Sequence, residues 1–453
     1  MQGMLNLEEL RTLIDSGKVD TVLVCFPDMQ GRLIGKRVTG KFFLEHAVHE
    51  VHVCDYLLAV DMDMEPVPGY EKASWDLGYG DFPVVPDMAT LRHIPWLEGT
   101  VLVMGDCKDH DGGDLSHAPR SILKKQLARL AGHGWQAMMG SELELYVFND
   151  DFDTAREKRY RQLNAMGWYI EDYHIFQTTK EEPLVRTIRN AMQGAGIEVE
   201  FSKGEWGPGQ EEINLRYAEA LEMADRHVIY KNGVKEIAHQ QNRAVTFMAK
   251  YDYALAGSSC HVHNSLVDAA GKSVFFDASQ PDGMSATFRH FLAGQLACAE
   301  AMTYFLAPYI NSYKRFQAGS FAPTKAIWAK DNRTAGFRVV GDGPSLRAEC
   351  RIPGADVNPY LAYAALLAAG LHGIEAKLEL EPAVVGNAYE DPTLRHVPHT
   401  LREALAALDA SQEMRAALGD DVVDHYLVTG RWEQYEYDRR VTDWELLRNF
   451  ERA

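Results

Sequence analysis

The segment EFSKGEWGPGQEE, residues 200–212, carries four carboxylates, three glycines and a proline. Gly207, Pro208 and Gly209 predict a tight turn between two extended arms, because these residue types supply the backbone angles of such turns. A turn there brings Glu205 and Glu212 towards each other. Two carboxylates repel unless a cation lies between them, so the segment predicts a divalent metal site. The alternative is an acidic, solvated surface loop.

Three further segments repeat this distribution of charge. Strand alternation gives each an apolar face for a core and a charged face for a common space. The charged faces carry Glu142 and Glu144 in segment 138–148, His261 and His263 in segment 257–266, and Arg347, Glu349 and Arg351 in segment 346–352. Together with the 200–212 hairpin, these segments predict a concave sheet lined with glutamates, histidines and arginines.

The residue types on this sheet favour one kind of chemistry. Glutamate oxygens with one imidazole suit Mg²⁺ or Mn²⁺ better than zinc, since no thiolate cluster is present. Arginines beside such metals bind phosphate and carboxylate groups bidentately, and the cationic segments 311–316 and 331–338 add further arginines. We therefore predict a metal-dependent phosphoryl-transfer site. The sequence has no Walker A loop and no GxGxxG motif, so a nucleotide would bind through metal and arginine.

Composition limits the partners and the location. The chain has 453 residues, 46% of them hydrophobic, which is enough for two or more domains. Its net charge of -19 argues against nucleic acid or an anionic membrane surface as the main partner. The six cysteines form no CxxC pair, no signal-peptide pattern opens the chain, and no 18-residue uncharged apolar run occurs. We expect a cytoplasmic protein with reduced thiols and no membrane partner.

Local patterns in the first hundred residues predict a small α+β domain. A short amphipathic helix is expected over 6–16, followed by a β-hairpin of strands 21–26 and 32–38. The apolar run 56–60 predicts a third strand. The pattern breaks at 105–113, so we place a domain boundary there and expect domains of residues 1–108 and 109–453.

The larger second domain is expected to contain helices around the concave sheet. Pro119 and Pro359 occupy first-turn positions of two predicted helices, and Asn358 is the predicted cap of the second, which is apolar nearly all round and so buried. The tail from about residue 400 is predicted to be helical, with Trp432 and Trp444 anchoring it.

Taken in chain order, these segments resemble the glutamine synthetase superfamily, in its class I-like branch, over almost the whole chain. The matching motifs are GSELE at 140–144, GE at 204–205, QEEI at 210–213, TFMAK at 246–250, HVH at 261–263, NSYKR at 311–315, NR at 332–333, RAECRIP at 347–353 and NPYL at 358–361. The resemblance implies a β-grasp N-terminal domain and a larger catalytic α/β domain with a concave antiparallel sheet. It also implies a homo-oligomer, a dodecamer of two stacked hexameric rings, with sites shared between neighbouring subunits.

The positions that match the family's metal ligands form two sets, and the resemblance implies two divalent metals per site. The sets are Glu144, Glu205 and Glu212 for one metal, and Glu142, His261 and Glu349 for the other. Each metal would keep open positions for substrate oxygens.

The remaining matches imply contacts to ATP, as co-substrate, and to glutamate. The implied nucleotide contacts are Glu200, His263 and Ser265, with Arg338 and Arg347 on the phosphates. The implied contacts to glutamate are Glu144, Gly257, Arg315 and Arg351, with Arg333 steadying a γ-glutamyl phosphate.

The chain departs from the ammonium-using members of the family at the place where ammonium binds. Phe321, beside Ser320, stands where those members carry a glutamate that binds ammonium and accepts its proton. Their N-terminal Asp-Gly-Ser-Ser loop is also missing, and a residue usually asparagine near the glutamate is Ala256. The sequence therefore predicts a pocket for an organic amine, formed in part by Ser320 and Phe321. The proton acceptor would be Asp61, Asp63 or Glu65 of a neighbouring subunit.

These features predict an ATP-dependent ligase that joins the γ-carboxylate of glutamate to a small amine, in the branch that uses amines such as ethanolamine. Glutamine synthesis from ammonium is the closest alternative, and a polyamine is a further candidate substrate. A non-catalytic family member with a structural or regulatory role is an alternative of another class. A metal-dependent amidohydrolase would have no need of the arginines.

Overall fold

A six-stranded sheet occupies the first part of the chain in the computed structural model, which describes residues 3–453. Its strands are β1 (Thr21–Pro27), β2 (Leu33–Thr39), β3 (Val51–Cys54), β4 (Asp81–Pro86), β5 (Arg92–His93) and β6 (Thr100–Cys107). The order is β2-β1-β6-β4-β3, with β5 also on β6, and only β1 and β6 pair in parallel. Two helices, α1 (Leu7–Asp15) and α2 (Gly40–Phe42), accompany this sheet, and the predicted first helix and hairpin are confirmed.

The predicted third strand over 56–60 is wrong. Residues Asp55–Leu58 form a helical turn, and the strand lies earlier, at β3. Val51 and Val53 are buried there while His52 is exposed, which is the alternation of a strand with one face on the core. Leu58, Ala59 and Val60 are buried in succession, a pattern that apolar runs also show outside strands.

A nine-stranded sheet forms the centre of the second part. Its strands are β7 (Trp135–Phe148), β8 (Val199–Gly204), β9 (Gln210–Leu215), β10 (Ala218–Glu219), β11 (Ala244–Thr246), β12 (Cys260–Asp268), β13 (Trp328–Lys330), β14 (Phe337–Val340) and β15 (Arg347–Cys350). The order is β13-β14-β15-β12-β7-β9-β8, with β10 and β11 also paired to β7. All pairings except β13 with β14 are antiparallel, which confirms the predicted sheet. The predicted turn joins β8 to β9, with Gly209 at a φ of 71°.

Thirteen helices surround this sheet within residues 3–453. They are α3 (Pro119–Gly132), α4 (Phe152–Glu157), α5 (Ile175–Thr179), α6 (Glu182–Gly194), α7 (Ala220–Gln240), α8 (Ala286–Ala297), α9 (Ala299–Leu306), α10 (Ile310–Tyr313), α11 (Pro359–Ala376), α12 (Leu401–Ala410), α13 (Gln412–Leu418), α14 (Asp420–Asp438) and α15 (Asp443–Asn449). The apolar helix α11 is buried, as its sequence predicted, and it packs against α3, α7, α8, α9 and α13. Across the part of the chain that the structure describes, no helix is both long and apolar enough to cross a membrane.

Asn358 connects the two parts of the chain. Its side-chain oxygen accepts the Tyr360 N–H at 3.1 Å, which caps α11, while its amide donates to the carbonyl of Met29 at 3.0 Å. Trp432 packs against the core as predicted, but Trp444 is 64% exposed, so its anchoring role is wrong. The division at residue 108 stays a prediction, in line with a first sheet that ends at Cys107.

Candidate active site

Strand register places the charged side chains opposite one another. Glu144 on β7 pairs with Glu212 on β9, and Glu142 on β7 pairs with His261 on β12. Glu349 on β15 lies opposite His263. Directly paired residues of antiparallel strands project to the same face, so these side chains converge on one surface of the sheet.

The structure brings both predicted metal-ligand sets together. In each set, one ligand atom per residue lies within 4.8 Å of the others: Glu142, His261 and Glu349, and Glu144, Glu205 and Glu212. The first set offers two carboxylates and one imidazole, and the second offers three carboxylates. Both combinations are typical donors to a hard divalent cation. Both sets therefore fit a divalent metal, in agreement with the ligand sets implied by sequence.

Electrostatics support a cation at these sets. Burial, and after it the charge of Glu205, raises the pKa of Glu144 to about 7. Burial, followed by the charges of Glu142 and Glu144, raises the pKa of Glu212 to about 9. Carboxylates that are costly to ionise when buried together become favourable ligands once a divalent cation supplies the compensating charge.

Glu142 is held between two histidines. Nδ1 of His261 lies 3.1 Å from its Oε2, and Nε2 of His263 lies 2.6 Å from its Oε1. Burial alone would raise the pKa of Glu142, but these two hydrogen bonds hold it well below its ordinary value. Burial, and next the charge of Arg351, lowers the pKa of His261, which favours the neutral imidazole that binds metals.

The predicted arginines surround the carboxylates. Arg338 donates to Glu349 at 2.9 Å, and Arg351 donates to the other oxygen of the same carboxylate at 2.5 Å. Arg347 donates to Nδ1 of His263 at 3.1 Å, and Arg333 is exposed at the cavity wall. Glu349 thus fixes two guanidinium groups whose other N–H donors can bind an anionic substrate.

Arg315 is buried among backbone carbonyls. It donates to the carbonyls of Arg351 at 3.1 Å and Pro353 at 3.0 Å, and burial lowers its pKa to about 10. Its Nε has no hydrogen-bond partner within the described chain, and the residue lines the same cavity as Gly257. A buried donor without a partner is available to a substrate carboxylate.

Two cavities meet at Glu142, which lines both. The first, of about 520 Å³, contains the other members of both metal sets except Glu349, together with Gly257, Arg315, Ser320, Phe321, Arg333, Arg338 and Arg351. The second, of about 600 Å³, is lined by the predicted nucleotide contacts Glu200, His263, Ser265 and Arg347. Phe201 and Asn214 also line both cavities, and Arg338, the remaining predicted nucleotide contact, lines the first cavity together with the predicted glutamate contacts.

An aromatic pair stands at the wall of the first cavity. The rings of Phe321 and Trp206 lie 6.0 Å apart at 62°, and each is about half exposed. Phe321 has a φ of 58°, a conformation that few non-glycine residues adopt. The hydroxyl of Tyr389 donates to the carbonyl of the next residue, Ala322, at 2.8 Å and so holds this loop in place.

Sequence reasoning missed Trp206, Tyr389 and Lys203. Lys203 forms an ion pair with Glu205 and lies 4.6 Å from the ring centre of Tyr173. Residues 203 and 205 are two positions apart in the predicted hairpin arm, and side chains at that spacing project to the same face of a strand. Alternation could therefore have placed Lys203 on the face of the metal ligands. No local signal links Tyr389 to the Phe321 loop.

The three acidic candidates for proton acceptor differ in their surroundings. The carboxylate of Asp61 accepts the N–H groups of Asp63 at 2.9 Å and Glu65 at 3.1 Å, and Nε1 of Trp432 at 3.2 Å. The carboxylate of Asp61 therefore stabilises the 61–65 turn, and its hydrogen bonds there make it a poorer proton acceptor than a free carboxylate. Asp63 and Glu65 are exposed, and neither lines the first cavity in the same subunit.

This sheet and its helices form a glutamine synthetase-type fold, and the chain belongs to the glutamine synthetase family. The family described as glutamine synthetase, catalytic domain, matches residues 116–449. A solved structure of a GmaS/ADP complex superposes with a TM-score of 0.86 at 27% identity, covering 97% of this chain and 99% of that one. The predicted resemblance and fold class are confirmed.

Three curated relatives cover nearly the whole chain. The gamma-glutamylethanolamide synthetase GlnA4 of Streptomyces coelicolor is 53% identical over 99% of this chain and 96% of its own length. A glutamate–isopropylamine ligase of a Pseudomonas species is 36% identical over 97% of each chain. A type-1 glutamine synthetase 2 of Dictyostelium discoideum is 33% identical over 99% of this chain and 87% of its own length.

Proposed function

We propose that this protein joins the γ-carboxylate of glutamate to a small organic amine at the expense of ATP, with ethanolamine as the first candidate. That it is a glutamate–amine ligase follows from its family and from the activities named for two of its curated relatives. The observation that carries the choice of an organic amine is the Phe321–Trp206 pair at the cavity wall. A phenyl ring cannot accept a proton from ammonium, but it packs against the carbon atoms of an alkylamine.

Glutamate would bind in the first cavity through Arg315 and Arg351, next to Gly257 and Glu144. The nucleotide would bind in the second cavity at Glu200, His263 and Ser265. Their reacting ends would meet at Glu142, which lines both cavities. Arg333, Arg338 and Arg347 supply positive charge where the phosphoryl group passes between them.

Use of ATP and of a divalent metal belongs to the family, and we propose two Mg²⁺ or Mn²⁺ ions per site. Glu144, Glu205 and Glu212 would hold one, and Glu142, His261 and Glu349 the other. When bound, such ions neutralise phosphate charge and polarise phosphoryl oxygens.

The reaction would proceed in two displacements. A γ-carboxylate oxygen of glutamate forms a bond to the terminal phosphorus of ATP, and the bond to ADP breaks. The amine nitrogen then attacks the acyl carbon of γ-glutamyl phosphate, and inorganic phosphate leaves. We propose that Asp63 or Glu65 of a neighbouring subunit accepts the proton released by the amine, because both are exposed in one subunit.

A shared site requires a homo-oligomer, and we propose the family's dodecamer of two hexameric rings in the cytoplasm. Exposed apolar side chains on α15 and directly after it support an assembled state, since Leu447 and Phe450 are more than four-fifths exposed in one subunit. Sedimentation velocity would give the mass: a species near twelve subunits is expected, and a monomer that retains full activity would contradict the shared site.

Phosphate release from ATP, with Mg²⁺ and glutamate present, tests the proposal across ammonium, ethanolamine, isopropylamine, putrescine and spermidine. High turnover with ethanolamine and low turnover with ammonium are expected. Best turnover with ammonium would identify a glutamine synthetase, and best turnover with a diamine would identify a polyamine ligase. No turnover with any amine would favour a non-catalytic role.

A further inference from the structure

Three glutamates outside both ligand sets lie together in the interior. Glu171 precedes α5, Glu181 precedes α6, and Glu211 lies on β9 next to Glu212. Alternation along β9 directs Glu211 to the face opposite Glu212. Glu171 and Glu181 have no exposed surface, and Glu211 has 1%.

The carboxylates face one another with few partners. One ligand oxygen of each lies within 4.8 Å of the others. Among the described residues, both oxygens of Glu181, one of Glu171 and one of Glu211 have no hydrogen-bond partner. The other oxygen of Glu171 accepts the Gly209 N–H at 2.6 Å. Orphaned buried oxygens of this kind indicate a ligand, since nearly all buried polar atoms in folded proteins are paired.

The cations whose charges act on these carboxylates are engaged elsewhere. Arg189 pairs with Glu182 at 2.6 Å, Lys180 donates to Gln177 at 2.6 Å, and Lys203 pairs with Glu205. The three carboxylates must therefore share protons or bind a cation, because unpaired buried charges are costly. Burial, and then the neighbouring Glu211, raises the pKa of Glu181 to about 9, which reflects this missing counter-charge.

We propose that Glu171, Glu181 and Glu211 bind a third divalent cation, a hard ion of the Mg²⁺ or Mn²⁺ type. All three donors are carboxylates, and the set contains neither the sulfur nor the imidazole that zinc favours. The site is structural and separate from the two catalytic sets. Its presence does not depend on which amine the enzyme uses.

This cation would stabilise the β8–β9 hairpin, which carries the proposed metal ligands Glu205 and Glu212. The N–H of Glu171 donates to the carbonyl of Glu205 at 3.2 Å, and Glu211 is joined to Glu212 by one peptide bond. The cation would thus hold the β8–β9 turn in place from the face of the sheet opposite Glu212. Its loss is expected to raise the Mn²⁺ concentration needed for half-maximal activity.

Crystals of the unaltered protein grown with Mn²⁺ give the most direct test. We expect an anomalous difference peak between the three carboxylates, in addition to peaks at the catalytic sets. Peaks at the catalytic sets with none between these glutamates would overturn the proposal and leave shared protons as the means of neutralisation.

Metal counting with matched variants gives a second test in solution. After equilibrium dialysis against Mn²⁺, Glu181→Gln is expected to bind one ion fewer per subunit than the unaltered protein. Glu198→Gln, which changes a surface carboxylate paired with Arg216, should keep the full count. Equal counts in all three proteins would refute the site. Should Glu181→Gln fail to fold, the anomalous experiment on the unaltered protein still decides.

Discussion

Nε2 of His263 lies 2.6 Å from Oε1 of Glu142, so a residue proposed to contact the nucleotide touches a carboxylate proposed to bind metal. The contact follows from register, since β12 pairs with β7 and places both histidines of the HVH motif over one glutamate. Metal ligation and nucleotide binding are therefore expected to depend on each other.

Glu349→Gln tests the proposed metal set of Glu142, His261 and Glu349. The change removes the charge of a proposed metal ligand and weakens its ion pairs with Arg338 and Arg351. We expect ADP formation at fixed Mg²⁺ to fall by about 10²-fold, the scale seen when one electrostatic contact to a reacting group is lost. Asp331→Asn is the matched control, since Asp331 also pairs with Arg338 but is exposed, and it should retain activity within about threefold. Equal losses in both variants would contradict the ligand role of Glu349.

Phe321→Glu tests the amine pocket. A carboxylate at this position can bind ammonium and accept its proton, whereas the phenyl ring can do neither. We expect the ratio of kcat/KM for ethanolamine to that for ammonium to fall by about tenfold, which corresponds to about 1.4 kcal/mol. Ala318→Glu adds the same charge three residues earlier, at an exposed position that does not line the first cavity, and serves as control. An unchanged ratio in Phe321→Glu would show that the aromatic ring does not select the amine.

Tyr389→Phe tests the support of the Phe321 loop. The change deletes one hydrogen bond to the carbonyl of Ala322, worth about 1 kcal/mol. We expect KM for the amine to rise about fivefold while KM for ATP stays the same, because only the amine pocket is loosened. Tyr253→Phe, at a ring that is 90% exposed, should change neither value. Equal increases in both KM values of Tyr389→Phe would indicate a general loss of structure.

Acid sensitivity is predicted from His117, whose ring contacts that of His425 at a tilt of 40°, with ring centres 4.4 Å apart. Burial, and then the charge of Lys72, lowers the pKa of His117 from 6.5 to about 4. The unfolded chain therefore binds a proton more readily than the folded protein between these values, and the stability present above pH 6.5 is lost as the pH falls towards 4. From pH 7 to pH 5 the loss from this residue is about 2 kcal/mol.

The measurement is the urea midpoint at pH 7 and pH 5 at one protein concentration. His117→Asn should show a smaller decrease between the two pH values than the unaltered protein. His46→Asn, at an exposed histidine, should show the same decrease as the unaltered protein. Identical decreases in all three proteins would exclude His117 as the source of acid sensitivity.

Residue alternation predicted much of the site. Glu142 and Glu144, and likewise His261 and His263, occupy alternate positions on single strands, so their common faces follow from local geometry alone. The β8–β9 turn followed in the same way from Gly207, Pro208 and Gly209. Where an apolar run lacked alternation, as at 56–60, the prediction of a strand was wrong.

By itself, the sequence determined the strand faces, the turn and the motifs of the family, because these depend on near neighbours along the chain. The tertiary structure alone decided which distant groups meet. Tyr389 reaches the loop of Phe321, Trp206 stands opposite that ring, and Glu171, Glu181 and Glu211 share one interior position. Such contacts join different elements, and their distances depend on how strands and helices pack against one another, which no local periodicity contains.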